Sequence, residues 1–516
     1  MHEYHKALIV ILILASCVFA FAKKALIPLV PEKQFNTWRN TWLAITSIAF
    51  LASNFWIYVV ASIALLLYIS PKQQNPLALY CILLLALPPI GDDVPGFGLV
   101  NFLFTMQYFR ILSLAILLPA YLHLKSQPDT VKFGKLLPDK FIMAYLILII
   151  LLNLRDTTFF DTLRFGFYKF TELFLPYYVA SRAIKDLAQM KEAIIALIIG
   201  CALMAIIGSF EFATKWLLYS SLNISLGADW DMGRYLGRGE YLRAVAATGQ
   251  PIVLGYVMMI ALGLYFFLAK SIKKRMRYIG LALLLAGLIA PLSRGPWIGA
   301  LIVVTVYLAT GPSAVKRLTV LALVALTALP ILGQIPGGEK VINLLPFVGK
   351  TETENIDYRA KLLDKAAIVF NRYPIFGSVN YRGELADLGM KQGEGIVDVV
   401  NSYLDVVLYY GLVGLFIYLS FFFIVLIDIL KGMKKCRYRS TEAYNIGRSL
   451  LSCLIGILIT IFTVSSIMVI PIVYWLIAGI AVSYYRIAQN IITKKQDDGI
   501  LPTYRYAINH DAIKMI

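Results

Sequence analysis

The sequence predicts an all-α fold: a polytopic integral membrane bundle of about 14 spanning helices with one long loop outside the membrane. Three observations predict it. Of 516 residues, 59% are hydrophobic and only 15% charged, and the mean hydropathy of +0.74 is far above ordinary soluble usage. Tracts at 139–155, 191–213, 250–269, 402–430 and 445–463 are near or above the roughly 17–25 residues that cross hydrocarbon as a helix, and they lack the alternation of a membrane barrel. Finally, basic residues collect between tracts, in KSIKKRMR (270–277), KR (316–317), KGMKKCRYR (431–439) and KK (494–495). Such segments mark the cytoplasmic side.

Taken in order, helices are expected near 6–22, 38–70, 76–90, 104–124, 139–155, 165–180, 191–214, 250–269, 277–292, 296–310, 317–333, 402–430, 445–463 and 466–486. The first has no small-residue cleavage site leading into a soluble domain, so it is expected to remain as a helix. The stretch 38–70 would reach ~50 Å as one helix, so it is either one long helix or two short ones. With the basic loops inside, the segments 91–103, 215–249 and 334–401 fall outside. In the last of these, QIPGG and RYPIFGSVNYRG punctuate turns. Between them, ENIDYRAKLLDKAAIVFN (354–371) places Leu362, Leu363, Ala366, Ala367 and Phe370 at helical spacing, with Arg359, Lys361 and Lys365 on other faces. That pattern predicts a short amphipathic helix over the membrane mouth.

A net charge of +18 would suggest nucleic acid in a soluble protein. Here the charge is spent on topology, and no nucleic-acid partner is expected. Cys17, Cys81, Cys201 and Cys453 lie within apolar tracts and Cys436 in a cytoplasmic loop, so neither a disulfide framework nor a metal cluster is expected.

Four constellations can carry chemistry. PLSRGPWIGAL (291–301) puts Arg294 in the turn between two apolar tracts. A charge at that depth is expensive and by default functional; a guanidinium grips anionic oxygens bidentately. The plainer reading is a snorkelling arginine beside an interfacial Trp297. MGRYLGRGEYLRAVAATGQP (232–251) offers Arg234, Arg238 and Arg243 ahead of a helix whose start at Thr248, Gly249 and Pro251 also suits an anion. Solvated loop charges are the plainer reading there, least so for Arg243. Arg359 opens the amphipathic stretch, where basic residues also meet lipid headgroups. Lastly, in GEGIVDVVNSYLDVVLYYGLVGL (393–415), a helix from Val397 would set Asp398, Asn401, Ser402 and Asp405 on one face. Asp398 can equally be a helix cap.

The succession RAVAATGQPIVLG, LSRGPWIGAL, DYRAKLL…F…PIFG and NSYLDVVLYYGLVGL resembles the O-antigen ligase and polymerase superfamily, the Wzy- and WaaL-type membrane proteins, over about residues 240–420. The resemblance implies a GT-C-like fold divided into N-terminal transmembrane helices (1–240), a ligase/polymerase-like core (241–333), a large extracytoplasmic loop (334–401), C-terminal helices (402–490) and a cytoplasmic tail (491–516). It implies an inverting glycosyltransferase of a bacterial inner membrane, needing no metal or cofactor. The active site would lie on the extracytoplasmic side, and the substrate would be an oligosaccharide carried on undecaprenyl pyrophosphate. By the resemblance Arg294 and Arg359 would bind the pyrophosphate, on which charge develops as the glycosidic bond breaks; Arg243 joins them as a candidate from its place next to the apolar helix.

Ligases of the family carry a His before the Asn of an HNxYL pattern, but VDVVNSYL has Val400 there, and His2, His5, His123 and His510 all lie elsewhere. Asp398 is therefore the expected base, supported by Asn401 and Asp405. The pattern is closer to exopolysaccharide polymerases, which implies transfer of a growing lipid-linked glycan onto a newly flipped repeat unit. A ligase using another acceptor is the near alternative. A lipid-linked oligosaccharide flippase or transporter is the distant one, since it has no need of the long loop. The bilayer, a flippase and chain-length or export proteins are the other partners implied.

Overall fold

The computed structural model describes residues 2–98, 100–228, 236–238, 240–334, 353–391 and 395–497. Helices form on the apolar tracts because a chain in hydrocarbon must satisfy its own backbone groups. The first four are α1 (Glu3–Leu26), α2 (Glu32–Leu51), α3 (Phe55–Ile69) and α4 (Pro76–Leu83). The 38–70 stretch is thus two helices, and Asn54 starts the second by accepting from the Ile57 N–H at 2.9 Å. Helix α4 stops before 90, ahead of Pro88 and Pro89, which have no N–H to continue it.

An antiparallel hairpin follows, β1 (Gly91–Pro95) with β2 (Phe102–Gln107). Residues 104–107, expected in a helix, are therefore strand. FLFTMQ is an apolar run that suits either period, and the glycines at 96 and 98 supply the turn that decides it.

The chain continues through α5 (Tyr108–Ser126), α6 (Leu137–Asp156), α7 (Phe159–Lys169), a π-helical turn, α8 (Leu175–Ala183) and α9 (Leu187–Thr214). Then come α10 (Pro251–Leu268), α11 (Lys274–Ile289), α12 (Arg294–Ala309) and α13 (Ala314–Gln334). The loop carries α14 (Thr353–Arg372) and α15 (Tyr381–Leu385), and α16 (Ser402–Cys436), α17 (Thr441–Thr460) and α18 (Ile470–Asp497) complete the bundle. Among the described residues, nine helices are long and apolar enough to cross a membrane, against the roughly 14 suggested by tract length. The difference lies in short and charged tracts: α4 has 8 residues and α11 and α12 have 16 each, while 159–183 carries Asp161, Arg164, Lys169, Glu172 and Arg182.

Helix α10 is the axis, with 89% of its apolar window buried. Around it α12 and α17 pack through small residues. A Cβ added at Gly263 would lie 2.5 Å from Cys453 Sγ, at Gly299 2.1 Å from Thr460 Oγ1, and at Gly456 2.4 Å from Val303 Cγ2. Close backbone approach is the packing open to helices that gain nothing by expelling water.

Hydrogen bonds distinguish the two ends of the bundle. At the basic end Lys270 Nζ donates to Asn445 Oδ1 at 2.8 Å, and the Tyr444 hydroxyl to Thr310 O at 2.8 Å. There too Arg182 and Asp139 form a wholly buried pair at 2.6 Å. The opposite end carries the 290–293 and 461–469 turns and the described loop residues.

The loop is built on its own small core. Leu362, Ala366 and Val369 of α14 pack with Tyr381, Leu385, Val399 and Leu408, while Leu363 is 57% exposed and Ala367 also faces out. The apolar face is thus rotated from the expected one, because α14 packs on α15 and α16 as well as covering the bundle. The segment YPIFGS (373–378) then staples the loop to α16. Leu412 N–H donates to Pro374 O at 2.9 Å, Val413 N–H to Ile375 O at 3.2 Å and Ser378 N–H to Leu408 O at 2.9 Å. Helix α16 opens to receive it at Gly411, φ 67° and ψ −170°.

Candidate active site

The first half of the site is a braced turn. Glu211, buried at the end of α9, accepts the N–H groups of Leu218 (3.0 Å), Val245 (3.0 Å) and Ala246 (2.7 Å). This fixes RAVAATGQP and holds Ala246 at φ 49°. From there Arg243 reaches the turn before α12, donating from Nε to Pro291 O at 3.0 Å and from Nη2 to Ser293 Oγ at 2.8 Å. Arg238 donates to Leu292 O. Leu292 itself sits at φ 47°. Trp297 Nε1 donates to Leu288 O at 2.8 Å, so this tryptophan fastens the turn from the other side. Arg294 follows, half-buried, as the first residue of α12.

The second half is the 461–469 turn between α17 and α18. A Cβ at Gly295 would lie 2.8 Å from Thr463 Oγ1, and Arg359 Nη2 donates to Thr463 O at 3.4 Å. One residue of this turn therefore touches both the backbone beside Arg294 and the Arg359 guanidinium. Two residues on, the Ser465 hydroxyl lies 2.7 Å from Asp398 Oδ1 and 3.0 Å from Val399 O. Tyr358, next to Arg359, donates its hydroxyl to Asp398 O at 3.0 Å. Partial desolvation draws the Arg359 pKa below its ordinary value, against the opposing pull of the Asp398 charge; the two are in electrostatic reach.

Asp398 does not share a helical face with Asn401, Ser402 and Asp405. Residues 396–400 are not helical, and α16 begins at Ser402 with Asn401 as its cap, accepting from the N–H groups of Tyr403 (2.9 Å) and Leu404 (3.2 Å). Asn401 takes the capping bonds that Asp398 was the candidate for, which leaves the Asp398 carboxylate, half-buried, on Ser465. Ser402 ties its N–H to Ile461 O at 2.9 Å and its hydroxyl to Val464 O at 2.7 Å. Asp405, one turn down, accepts from Arg382 Nη2 at 2.9 Å and from the Tyr381 hydroxyl. Of the other loop carboxylates, Glu384 pairs with Arg372 at 3.0 Å and Glu394 lies outside the described residues, as does Arg234 of the 232–251 arginine group.

Sequence reasoning missed the two organisers of this end, Glu211 and the 461–469 turn. Glu211 carries a signal, as a carboxylate inside an apolar tract. The small neutral residues of IFTVSS carry none.

The class is a multi-pass helical membrane protein whose arginines and a carboxylate are gathered at the loop-covered end of the bundle. Residues 279–419 match the family model described as O-antigen ligase, and this supports the O-antigen ligase and polymerase superfamily for that segment. The match includes Arg294, Arg359, Asp398, Asn401 and Asp405, and leaves out Arg243 and the 461–469 turn. No curated protein matches the chain.

Proposed function

We propose that the protein is an inverting glycosyltransferase that extends a glycan carried on undecaprenyl pyrophosphate, acting as a polymerase on the extracytoplasmic face of a bacterial inner membrane. The observation that carries this reading is the meeting of Arg359, Asp398 and the Arg294 turn on residues 463–465. Arg294 and Arg359 hold the pyrophosphate of the donor and stabilise the charge that grows on it. Asp398 takes the proton of the acceptor hydroxyl, whose oxygen attacks the anomeric carbon from the face opposite the leaving group. The new C–O bond forms as the bond to pyrophosphate breaks, and the lipid pyrophosphate departs with the electron pair. Arg243, with two donors committed to Pro291 and Ser293, acts as a positioning residue for the turn. No metal takes part, because the guanidinium groups supply the positive charge.

The orientation follows the basic segments, which gather at the end opposite this site. The polymerase reading is preferred to a ligase because Val400 replaces the family histidine. The test is to incubate purified protein with lipid-linked repeat units. A ladder of longer lipid-linked glycans is expected; a flippase would leave their length unchanged, and a ligase would need a different acceptor lipid.

A further inference from the structure

Beside the arginine site, across the 461–469 turn, lies a cavity of about 430 Å³, within the size range of small-ligand pockets. Its walls come from the N-terminal half of the chain and from α16 and α18. Two of its tyrosines, Tyr145 and Tyr410, are 6% and 7% exposed and line the cavity, where a phenol hydroxyl can donate to or accept from a bound molecule. Gln107 adds an amide to the same lining.

The charges of the cavity are mixed. Glu172 is paired with Arg110 and Asp405 with Arg382, and both carboxylates keep acceptor positions to spare. Lys169 also lines the cavity; Arg110 is matched by Glu172 and Asp405 by Arg382 from outside the lining, so Lys169 is the lining cation with no carboxylate partner among the described residues. Neutral donors, carboxylate acceptors and aromatic walls suit a ring bearing hydroxyl groups. Ser466, in the same lining, adjoins the Ser465 that holds Asp398, which puts the ring beside the base. Gln107, Arg110, Lys169 and Glu172 all precede residue 279, outside the family match.

We propose that this cavity is the subsite for the acceptor sugar and that Lys169 selects a sugar carrying an anionic substituent, a carboxylate or a phosphate. The assignment to the acceptor rests on the transferase reading given above. Specificity for the sugar then resides in this chain's N-terminal half, apart from the segment that handles the lipid pyrophosphate.

The test is calorimetric titration of the purified full-length protein with lipid-free oligosaccharides released by partial acid hydrolysis from the polymer of the host cells. Native fragments are expected to bind. Carboxyl reduction is expected to weaken them about tenfold or more, as for loss of a charged hydrogen bond; if the anion is a phosphate, removal of phosphate does so instead. Lys169→Met should abolish the difference between native and treated fragments, while Lys434→Met at the basic end should preserve it. Tyr145→Phe and Tyr410→Phe remove only hydroxyls and should weaken both kinds of fragment alike. The proposal is overturned if native fragments fail to bind at millimolar concentration, if neither treatment lowers affinity, or if Lys169→Met keeps the discrimination. Fragments that bind as expected while lipid-linked units never lengthen would remove the transferase reading and leave the subsite. Lengthening without fragment binding would remove the subsite alone.

Discussion

Replacing Gly411 by Ala should detach the loop from the bundle without unfolding it. At φ 67° and ψ −170° the backbone lies in a region open essentially to glycine, at a cost of roughly 1–3 kcal/mol to other residues. The added Cβ would also stand 2.1 Å from Ile375 O and 2.2 Å from Ile375 C, so backbone, not a flexible side chain, must move. The nearest relief is for α16 to close into a continuous helix, which Ala favours over Gly by ~1 kcal/mol. Closing it expels the 373–378 strap and its three hydrogen bonds, each worth ~1 kcal/mol net. Strain relief and helix closure, together roughly 2–4 kcal/mol before the Ile375 overlap is added, drive detachment against about 3 kcal/mol for the strap's three hydrogen bonds, so the backbone overlap tips the balance. Hydrogen exchange on purified protein reads this directly. The amides of Ser378, Leu412 and Val413 should lose protection while those of α10 and α17 keep it, and glycan elongation should fall with the loop. Gly166→Ala, with open space around the new Cβ, should change neither. Unchanged protection at Ser378, Leu412 and Val413 in the Gly411 variant would refute the reasoning.

Asp398→Asn should leave insertion and thermal stability close to wild type, because Asn401 and not Asp398 caps α16, while elongation falls by ~10²–10⁴-fold; near-normal elongation would remove Asp398 as the base. Arg294→Lys and Arg359→Lys should each impair turnover, since a lysine keeps the charge and loses the bidentate fork, and wild-type rates in either would end its role at the pyrophosphate. Asp139→Ala at the opposite end should destabilise the bundle by ~3–5 kcal/mol by stranding buried Arg182, seen as a lowered melting temperature in detergent.

The spanning helices were legible because hydrocarbon leaves the backbone few choices, and the loop helix because its apolar spacing is periodic over 353–372. The hairpin was not, since FLFTMQ carries no period of its own. Arg294, Arg359 and Asp398 are charges near apolar tracts, yet what holds Arg359 and Asp398 is the backbone carbonyl of Thr463 and the hydroxyl of Ser465, with Thr463 also against Gly295 beside Arg294, groups without a signature in sequence. The same holds at the start of α16. Asp398 and Asn401 are both good caps, and only the non-helical path of 396–400 decides between them.

The most direct measurement counts products. With purified protein, lipid-linked repeat units and EDTA present, the account predicts one undecaprenyl pyrophosphate released for each new glycosidic linkage, with inverted anomeric configuration. Elongation that vanishes with EDTA and returns with one divalent ion would contradict the metal-free role given to the arginines. Lipid-linked units that cross the membrane unchanged in length, with no pyrophosphate released, would contradict the account as a whole.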